Sequence, residues 1–212
     1  SSAASDVYKR QDLEGILVPE VWVNVAERTG IDALRRTTRD EPDYNRLMSY
    51  RLAILDENDI TIEDITSAIE SMEPLEGARD FLESLQRRWP TLILSDTFSQ
   101  FASPMMAKLG HRTLLCHTLE IDDSVRIFDW TIRAEDQKRK TVAALRSMNF
   151  QVIAVGDSYN DTTMLSEASA GILLRPPDYV VEEFPQCPVT RDYVELMQAI
   201  ESAATDLGEL WA

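Results

Sequence analysis

From about residue 74 onward, short apolar runs and helical stripes alternate along the chain. Pro74 opens a stretch whose apolar positions Ala78, Phe81, Leu82 and Leu85 recur at helical spacing, and Pro90 closes it. Residues 91–95 then read as a buried strand. Phe101, Met105 and Leu109 mark a helix that stops at Gly110, a residue suited to the position after a helix end. Residues 114–121 and 127–133 flank Asp122-Asp123-Ser124 and predict a hairpin. A helix over 138–148, a strand over 152–155 and a helix over 161–168 follow. Short strands at 171–174 and 188–190 and a last helix near 191–203 complete the pattern. Such alternation predicts an α/β fold with a mostly parallel sheet and helices on both faces.

Residues 20–73 break the pattern and contain no convincing strand. Val21, Trp22, Val25 and Ala26 form one helical stripe ending at Gly30. Pro42 can start a second helix carrying Tyr44, Leu47, Met48 and Leu55. Thr61 and Asp64 resemble a capping box ahead of Ile62, Ile65, Ile69 and Met72. A helical insert of about fifty residues therefore sits directly after Asp12-Leu13-Glu14-Gly15. It has the look of a lid, a device that excludes water from chemistry beneath it. The division is a core of residues 12–19 and 74–212, with a helical cap over 20–73.

At 212 residues the chain allows one sizeable domain, or a core with a smaller appendage. Its 44% apolar and 27% charged residues are ordinary for a globular protein, and no apolar run is long enough to span a bilayer. A net charge of −16 argues against nucleic acid or an anionic membrane as partner. It fits a soluble cytoplasmic protein, in which an anionic substrate is held by local cations or by metal. Cys116 and Cys187 lie far apart, match no zinc spacing, and are expected as core thiols rather than a disulfide.

The chemistry concentrates in Gly156-Asp157-Ser158-Tyr159-Asn160-Asp161, where the strand over 152–155 stops and delivers two carboxylates four residues apart. Ligands of open α/β sheets bind just past the carboxyl ends of strands. Clustered acids there suit a hard divalent cation such as Mg²⁺, which takes carboxylate oxygens and carries phosphates. A polar turn leading into a helix, with Asp and Ser as caps, explains the same residues equally well. Lys138-Arg139-Lys140 places cations at a helix N-terminus, where the helix dipole disfavours them by about 0.3–1 kcal/mol each. A bound anion or a carboxylate at Lys138 would remove that conflict, and the phosphate-site reading is preferred for it, whereas Arg139 and Lys140 read as solvated charges.

Asp12-Leu13-Glu14-Gly15, Ser95 after its apolar strand, Lys138 at a helix start and the 156–161 segment arrive in a telling order. Their order and approximate spacing resemble the haloacid dehalogenase-like (HAD) phosphohydrolases. The insert after the first motif resembles the phosphoserine phosphatase branch. The stretches DLEGILVPE, LILSDTF and GDSYNDTTMLSEA are similar to its bifunctional phosphoserine phosphatase / phosphoserine:homoserine phosphotransferase type, over nearly all of residues 12–200. The resemblance implies a Rossmann-like doubly wound sheet with a small helical cap inserted after the first strand. It implies Mg²⁺-dependent phosphoryl transfer from O-phosphoserine to water, to homoserine, or to both, in serine and threonine biosynthesis. Asp12 would be the nucleophile and form an aspartyl-phosphate. Glu14 would be the general acid and then base; most relatives carry Asp there, and the homoserine-transferring type carries Glu. Asp12, Asp157 and the Glu14 carbonyl would hold Mg²⁺, with Asp161 orienting metal waters or Lys138 behind them. Ser95, Lys138 and Asn160 would hold the phosphate. Arg51, in an apolar stripe, would grip the substrate carboxylate, Glu20 would face the amino group, and Met48 beside Arg51 would also bind the substrate. For Arg51 and Glu20 a structural ion pair between cap and core is an equal alternative. The implied partner is a small phosphoamino acid, without nucleic acid or membrane, and a homodimer is compatible with the resemblance.

One stretch departs from the pattern. The strand before Asp12 should be buried and nearly continuous in apolar residues. Residues 1–11 instead include Lys9, Arg10 and Gln11, and charges in a central strand are costly unless paired. The segment is expected to be non-native, standing where the first strand belongs; it lacks the apolar centre of a signal peptide. Two other functions fit parts of the chain: an aspartate phosphoacceptor signalling module, and a catalytically impaired binding protein on the same fold. His111 and His117 are expected as surface or hairpin residues, and Trp22, Trp89 and Trp130 as core residues without a role.

Overall fold

The computed structural model describes residues 13–38, 40–41, 43–110 and 112–208, together with the backbone of residues 7–11. Among them seven strands form a single sheet: β1 (Val7–Gln11), β2 (Thr91–Phe98), β3 (Leu114–Ile121), β4 (Ile127–Thr131), β5 (Gln151–Gly156), β6 (Ala170–Leu174) and β7 (Val189–Thr190). Their order is β4-β3-β2-β1-β5-β6-β7, and every pairing is parallel except the β3–β4 hairpin. The chain runs outward from β1 through β2, β3 and β4, then returns to the other flank of β1 with β5, β6 and β7. That reversal leaves a crevice past the carboxyl ends of β1, β2 and β5, where ligands of open α/β sheets bind.

The sheet is covered on both sides, as the unbroken apolar runs require. Alternate residues of one strand serve opposite cores: Ile153 and Val155 face one, Val152 and Ala154 the other. Ile172 and Leu174 likewise oppose Leu173. The first core is closed by α4 (Ala78–Gln86), α5 (Ser99–Lys108) and α9 (Tyr193–Asp206) through Phe81, Leu85, Phe101, Met105, Leu196 and Ile200. The second is closed by α6 (Gln137–Ser147), α7 (Thr162–Glu167) and α8 (Asp178–Glu183) through Val142, Met164, Leu165 and Val180. Each fully buried side chain of this size contributes roughly 1.5–3 kcal/mol. Cys116 and Cys187 are both buried free thiols.

The insert is helical among its described residues: α1 (Val21–Thr29), a 3₁₀ turn (Asp32–Arg35), α2 (Tyr44–Glu57) and α3 (Ile62–Glu70). The predicted start of α2 at Pro42 lies outside the described residues; Asp43 is the observed cap, accepting from the Arg46 N–H. The linkers into and out of the lid run side by side, the Leu75 N–H donating to the Leu17 carbonyl at 2.9 Å. Lid and core then share apolar surface: Trp22 meets Phe101 edge-on with ring centroids 5.3 Å apart. The β3–β4 hairpin grips the far end, where Arg126 pairs with Asp56 and Asp59 and the Ile62 N–H donates to the Val125 carbonyl.

Several elements differ from the sequence expectation. β2 runs three residues past Ser95, through Asp96 and Thr97, because pairing of Phe98 with His117 carries the strand beyond its apolar run. α8 was not expected; six residues are too few to show a helical period. Trp130 is half-buried rather than a core residue. Residues 7–11 take the central place in the sheet, with Gln11 in register with Ile93 on one side and Val155 on the other. Their side chains, and residues 1–6, lie outside the described residues.

α3 begins with the capping box that its sequence predicts. Thr61 and Asp64 satisfy each other's backbone N–H groups, and their side chains meet at 2.7 Å. Thr61→Ala is expected to lower the unfolding free energy by about 1 kcal/mol, measured by urea denaturation.

Candidate active site

Past the carboxyl ends of β1, β2 and β5, and beneath the lid, lies a cavity of about 800 Å³. Glu14, Ser95, Lys138, Asp157 and Asn160 line its core side, while Glu20, Trp22, Tyr44 and Arg51 line its lid side. Asp12 and His111 lie outside the described residues. The chain flanking position 12 is described: β1 ends at Gln11, and Leu13 is buried.

The floor is organised around Asp161, which is fully buried. One carboxylate oxygen accepts from Lys138 Nζ at 2.9 Å. The other accepts from the Asp157 and Ser158 N–H groups and the Ser158 hydroxyl at 3.1–3.2 Å. Five residues thus fold into a tight loop around one carboxylate. Gly156 makes this geometry available: a Cβ there would stand 2.4 Å from Asp161 Cβ. Lys138 is itself buried, so the pair is a desolvated ion pair whose loss from one side strands a charge. The helix start that disfavours a cation is thereby answered by a carboxylate within the protein. Arg139 also pairs locally, with Asp136, and Lys140 is exposed.

Gly15 joins the first motif to this floor. Its φ is +75°, and a Cβ would lie 2.3 Å from the Asp157 carboxylate, so Asp157 approaches the chain just after Glu14 as only glycine permits. The Ser95 side chain is buried, its hydroxyl accepts from the Thr97 N–H at 3.3 Å, and its carbonyl accepts from Gln137 Nε2 at 2.7 Å. Asn160 is exposed at the rim and donates to Thr38 Oγ1 of the lid at 3.1 Å.

Glu14 is poised between proton-bound and charged forms. Burial, then the neighbouring Glu20 charge, pushes its carboxyl up to about 7, against hydrogen bonds from the Val21 N–H and the Thr97 side chain. Arg51 stands on the lid wall, 6% exposed. Its guanidinium lies 4.4 Å from the Trp22 ring centroid, and one amino group donates to the Arg36 carbonyl at 2.8 Å. Its Nε has no hydrogen-bond partner among the described residues. Burial lowers its pKa to about 10, with Glu14 opposing. Met48 is buried behind Arg51, its sulfur 3.9 Å from the guanidinium, and does not itself line the cavity.

Sequence reading missed several participants. Asp96 lines the cavity and was passed over beside Ser95, although position alone put it at the same strand end. His117 was expected as a surface or hairpin residue; it lies in hairpin strand β3 but is 4% exposed, with Nδ1 accepting from the Arg133 N–H and Nε2 facing Asp96. Trp22 was expected to have no role and is the platform for Arg51. Tyr44 is more than part of an apolar stripe: its hydroxyl crosses from lid to core and donates to the Asp96 carbonyl at 3.0 Å.

Among the described residues no three His, Cys, Asp or Glu side chains form a metal-holding group. The donors that do converge are hard oxygens, and the close seat of Asp157 on Gly15 brings carboxylate and main chain together as a divalent cation requires.

A fold built on a topological switch point, with an acidic floor and a lysine beneath a helical lid, defines a phosphohydrolase-type α/β protein. The haloacid dehalogenase-like hydrolase profile matches residues 12–166, and the chain belongs to that family. "Phosphoserine phosphatase ThrH" of Pseudomonas aeruginosa is 53% identical over 194 residues, covering 92% of this chain and 95% of its own. A "Phosphoserine phosphatase" of Pseudomonas syringae pv. tomato is 50% identical over 193 residues, covering 91% and 81%. A solved structure described as "Phospho-Aspartyl Intermediate Analogue of Phosphoserine phosphatase" has the same fold, with TM-score 0.76 at 19% identity, covering 92% of this chain and 99% of that one. No helix among the described residues is long and apolar enough to cross a membrane.

Two outcomes follow from the floor and from Glu14. Lys138→Met should lower the unfolding free energy by about 3 kcal/mol, since Asp161 keeps its backbone donors but loses its cation. Because the folded Glu14 carboxyl titrates near 7 and an unfolded one near 4.5, the native state holds the proton more tightly, and stability falls as pH rises between those values. With chelator present, Glu14→Gln should therefore raise the melting temperature relative to the parent at pH 8. The corresponding gain in unfolding free energy, at most about 3 kcal/mol, should shrink toward pH 5.

Proposed function

We propose that the protein is a phosphoserine phosphatase, transferring the phosphoryl group of O-phosphoserine through an aspartyl-phosphate at Asp12. The observation that carries this reading is one cavity with two chemistries: Ser95 and Lys138 on its floor suit a phosphate, and Arg51 with Glu20 on its lid suit an amino acid's carboxylate and ammonium. The names of the Pseudomonas relatives support the same substrate.

In this reading Asp12 attacks phosphorus, the phosphorus–oxygen bond to serine breaks, and protonated Glu14 supplies the proton that the leaving serine oxygen takes. Glu14, now a carboxylate, then removes a proton from water as that oxygen attacks the aspartyl-phosphate, releasing phosphate and restoring Asp12. A group titrating near 7 serves both directions at neutral pH. Homoserine can replace water by presenting its hydroxyl to the same base, giving phosphohomoserine. Asp12, Asp157 and the Glu14 carbonyl would hold Mg²⁺, which shields charge between the nucleophile and the phosphate dianion. Asp161 positions Lys138, Asn160 steadies the lid through Thr38, and the lid excludes bulk water. A cytoplasmic setting belongs to the same reading. A signalling phosphoacceptor has no need of a helical lid over its site.

The deciding assay follows phosphorus by ³¹P NMR with phosphoserine and Mg²⁺, with and without homoserine. Free phosphate is expected in both, with phosphohomoserine added in the second; no turnover of phosphoserine in either would end the reading. Asp12→Asn should abolish both products. Arg51→Ala should raise KM for phosphoserine about 10–100-fold, the loss of one charge-assisted contact, and an unchanged KM would remove Arg51 from the carboxylate's site.

A further inference from the structure

Asp96 is a cavity carboxylate that the proposed chemistry leaves unused. It follows Ser95 near the end of β2, with its side chain 41% exposed. One carboxylate oxygen lies 3.5 Å from Lys138 Nζ. The other accepts from Gln137 Nε2 at 3.3 Å and lies 3.6 Å from His117 Nε2. The Arg133 N–H donates to His117 Nδ1, which assigns the imidazole proton to Nε2, facing Asp96. The side chain is therefore held from three sides. Burial works against its charge, but Lys138, Gln137 and His117 outweigh that and keep its carboxyl below the ordinary range.

Lys138 thus stands between two carboxylates, Asp161 at 2.9 Å and Asp96. They differ in what they face. Asp161 is fully buried and bound by its own loop, whereas Asp96 opens onto the cavity. One ammonium between two carboxylates carries a net negative charge. A phosphate dianion settling on Lys138 must therefore come within a few ångströms of Asp96.

We propose that Asp96 weakens the hold of the Lys138 site on inorganic phosphate, and so speeds release of the product anion. The inference depends on the reading that Lys138 holds phosphate. Like charges at such a distance repel appreciably, but solvent reaching Asp96 screens them, so an effect of about tenfold on affinity is expected. A carboxylate that merely propped Lys138 in place would have the opposite sign, since its loss would loosen phosphate.

The probe is inorganic phosphate, measured in Mg²⁺ buffer as a competitive inhibitor of phosphoserine turnover and directly by calorimetry. Asp96→Asn keeps the shape and removes the charge; its inhibition constant should fall about tenfold, with progress curves that stall earlier as product accumulates. Asp96→Ser should move in the same direction, which guards against a folding defect peculiar to one substitution. Asp96→Glu should return the constant toward the parent value. An inhibition constant that is unchanged or raised in the correctly folded Asn and Ser variants overturns the proposal. If phosphate fails to compete with phosphoserine in the parent protein, the phosphate-site reading itself falls, and this inference with it.

Discussion

The buried pair of Lys138 and Asp161, 2.9 Å apart, is the interaction around which the rest of the site is arranged. An ammonium and a carboxylate taken out of water must satisfy each other and their remaining valences, or the fold loses several kcal/mol. Asp161 does this by collecting two backbone N–H groups and a hydroxyl from residues 157 and 158, which bends the chain back on itself immediately after β5. The bend needs Gly156, because any side chain there would strike Asp161. It also turns the Asp157 carboxylate toward Gly15, joining the end of β5 to the segment following β1. Helix α6, strand β5 and the first motif are thereby set relative to one another by one charge pair and two glycines.

The lid completes what the floor begins, and it does so with a different kind of contact. The floor is polar and close-spaced; the lid docks through apolar and aromatic surface. Trp22 packs on Phe101 with its edge and beneath Arg51 with its face, so one side chain both anchors the lid and presents its cation. Among the described residues, Tyr44 donates to the Asp96 carbonyl and Asn160 to Thr38 across the cavity mouth. Each is a single neutral bond, contributing about 1 kcal/mol, which suits a surface that must open to admit a substrate. Away from the cavity, Arg126 pairs with Asp56 and Asp59 and ties the far end of the insert to the β3–β4 hairpin.

Charge is managed at two scales. The chain carries −16 overall, yet the cavity concentrates Arg51 and Lys138 among several acids. What the cavity offers an anion is two placed cations rather than a general positive field. Burial raises the cost of ionising Glu14, and the neighbouring Glu20 charge adds to it. The same proximity that would destabilise a surface pair gives Glu14 a proton to lend at neutral pH.

Much of this was legible in the sequence because it depends on local chemistry. The alternating apolar runs predict the layered fold, since both faces of each inner strand are buried. The Thr61–Asp64 capping box, the lid's helical stripes and the 156–161 motif involve residues a few positions apart. What only the tertiary structure decided involves residues that meet across the fold. Asp96 follows the strand predicted over 91–95 and carried no sequence signal of its own; β3 and α6 bring His117, Gln137 and Lys138 around it. His117, read as a surface or hairpin residue, lies in the hairpin strand but is buried because β2 continues past its apolar stretch to pair with it. Trp22 and Tyr44 have the sequence signature of core residues, and being apolar with one polar or cation-binding feature, they serve as core and site at once. Periodicity along a chain reports which way a side chain faces; it carries no information on what lies opposite, and for those residues the opposite wall is the function.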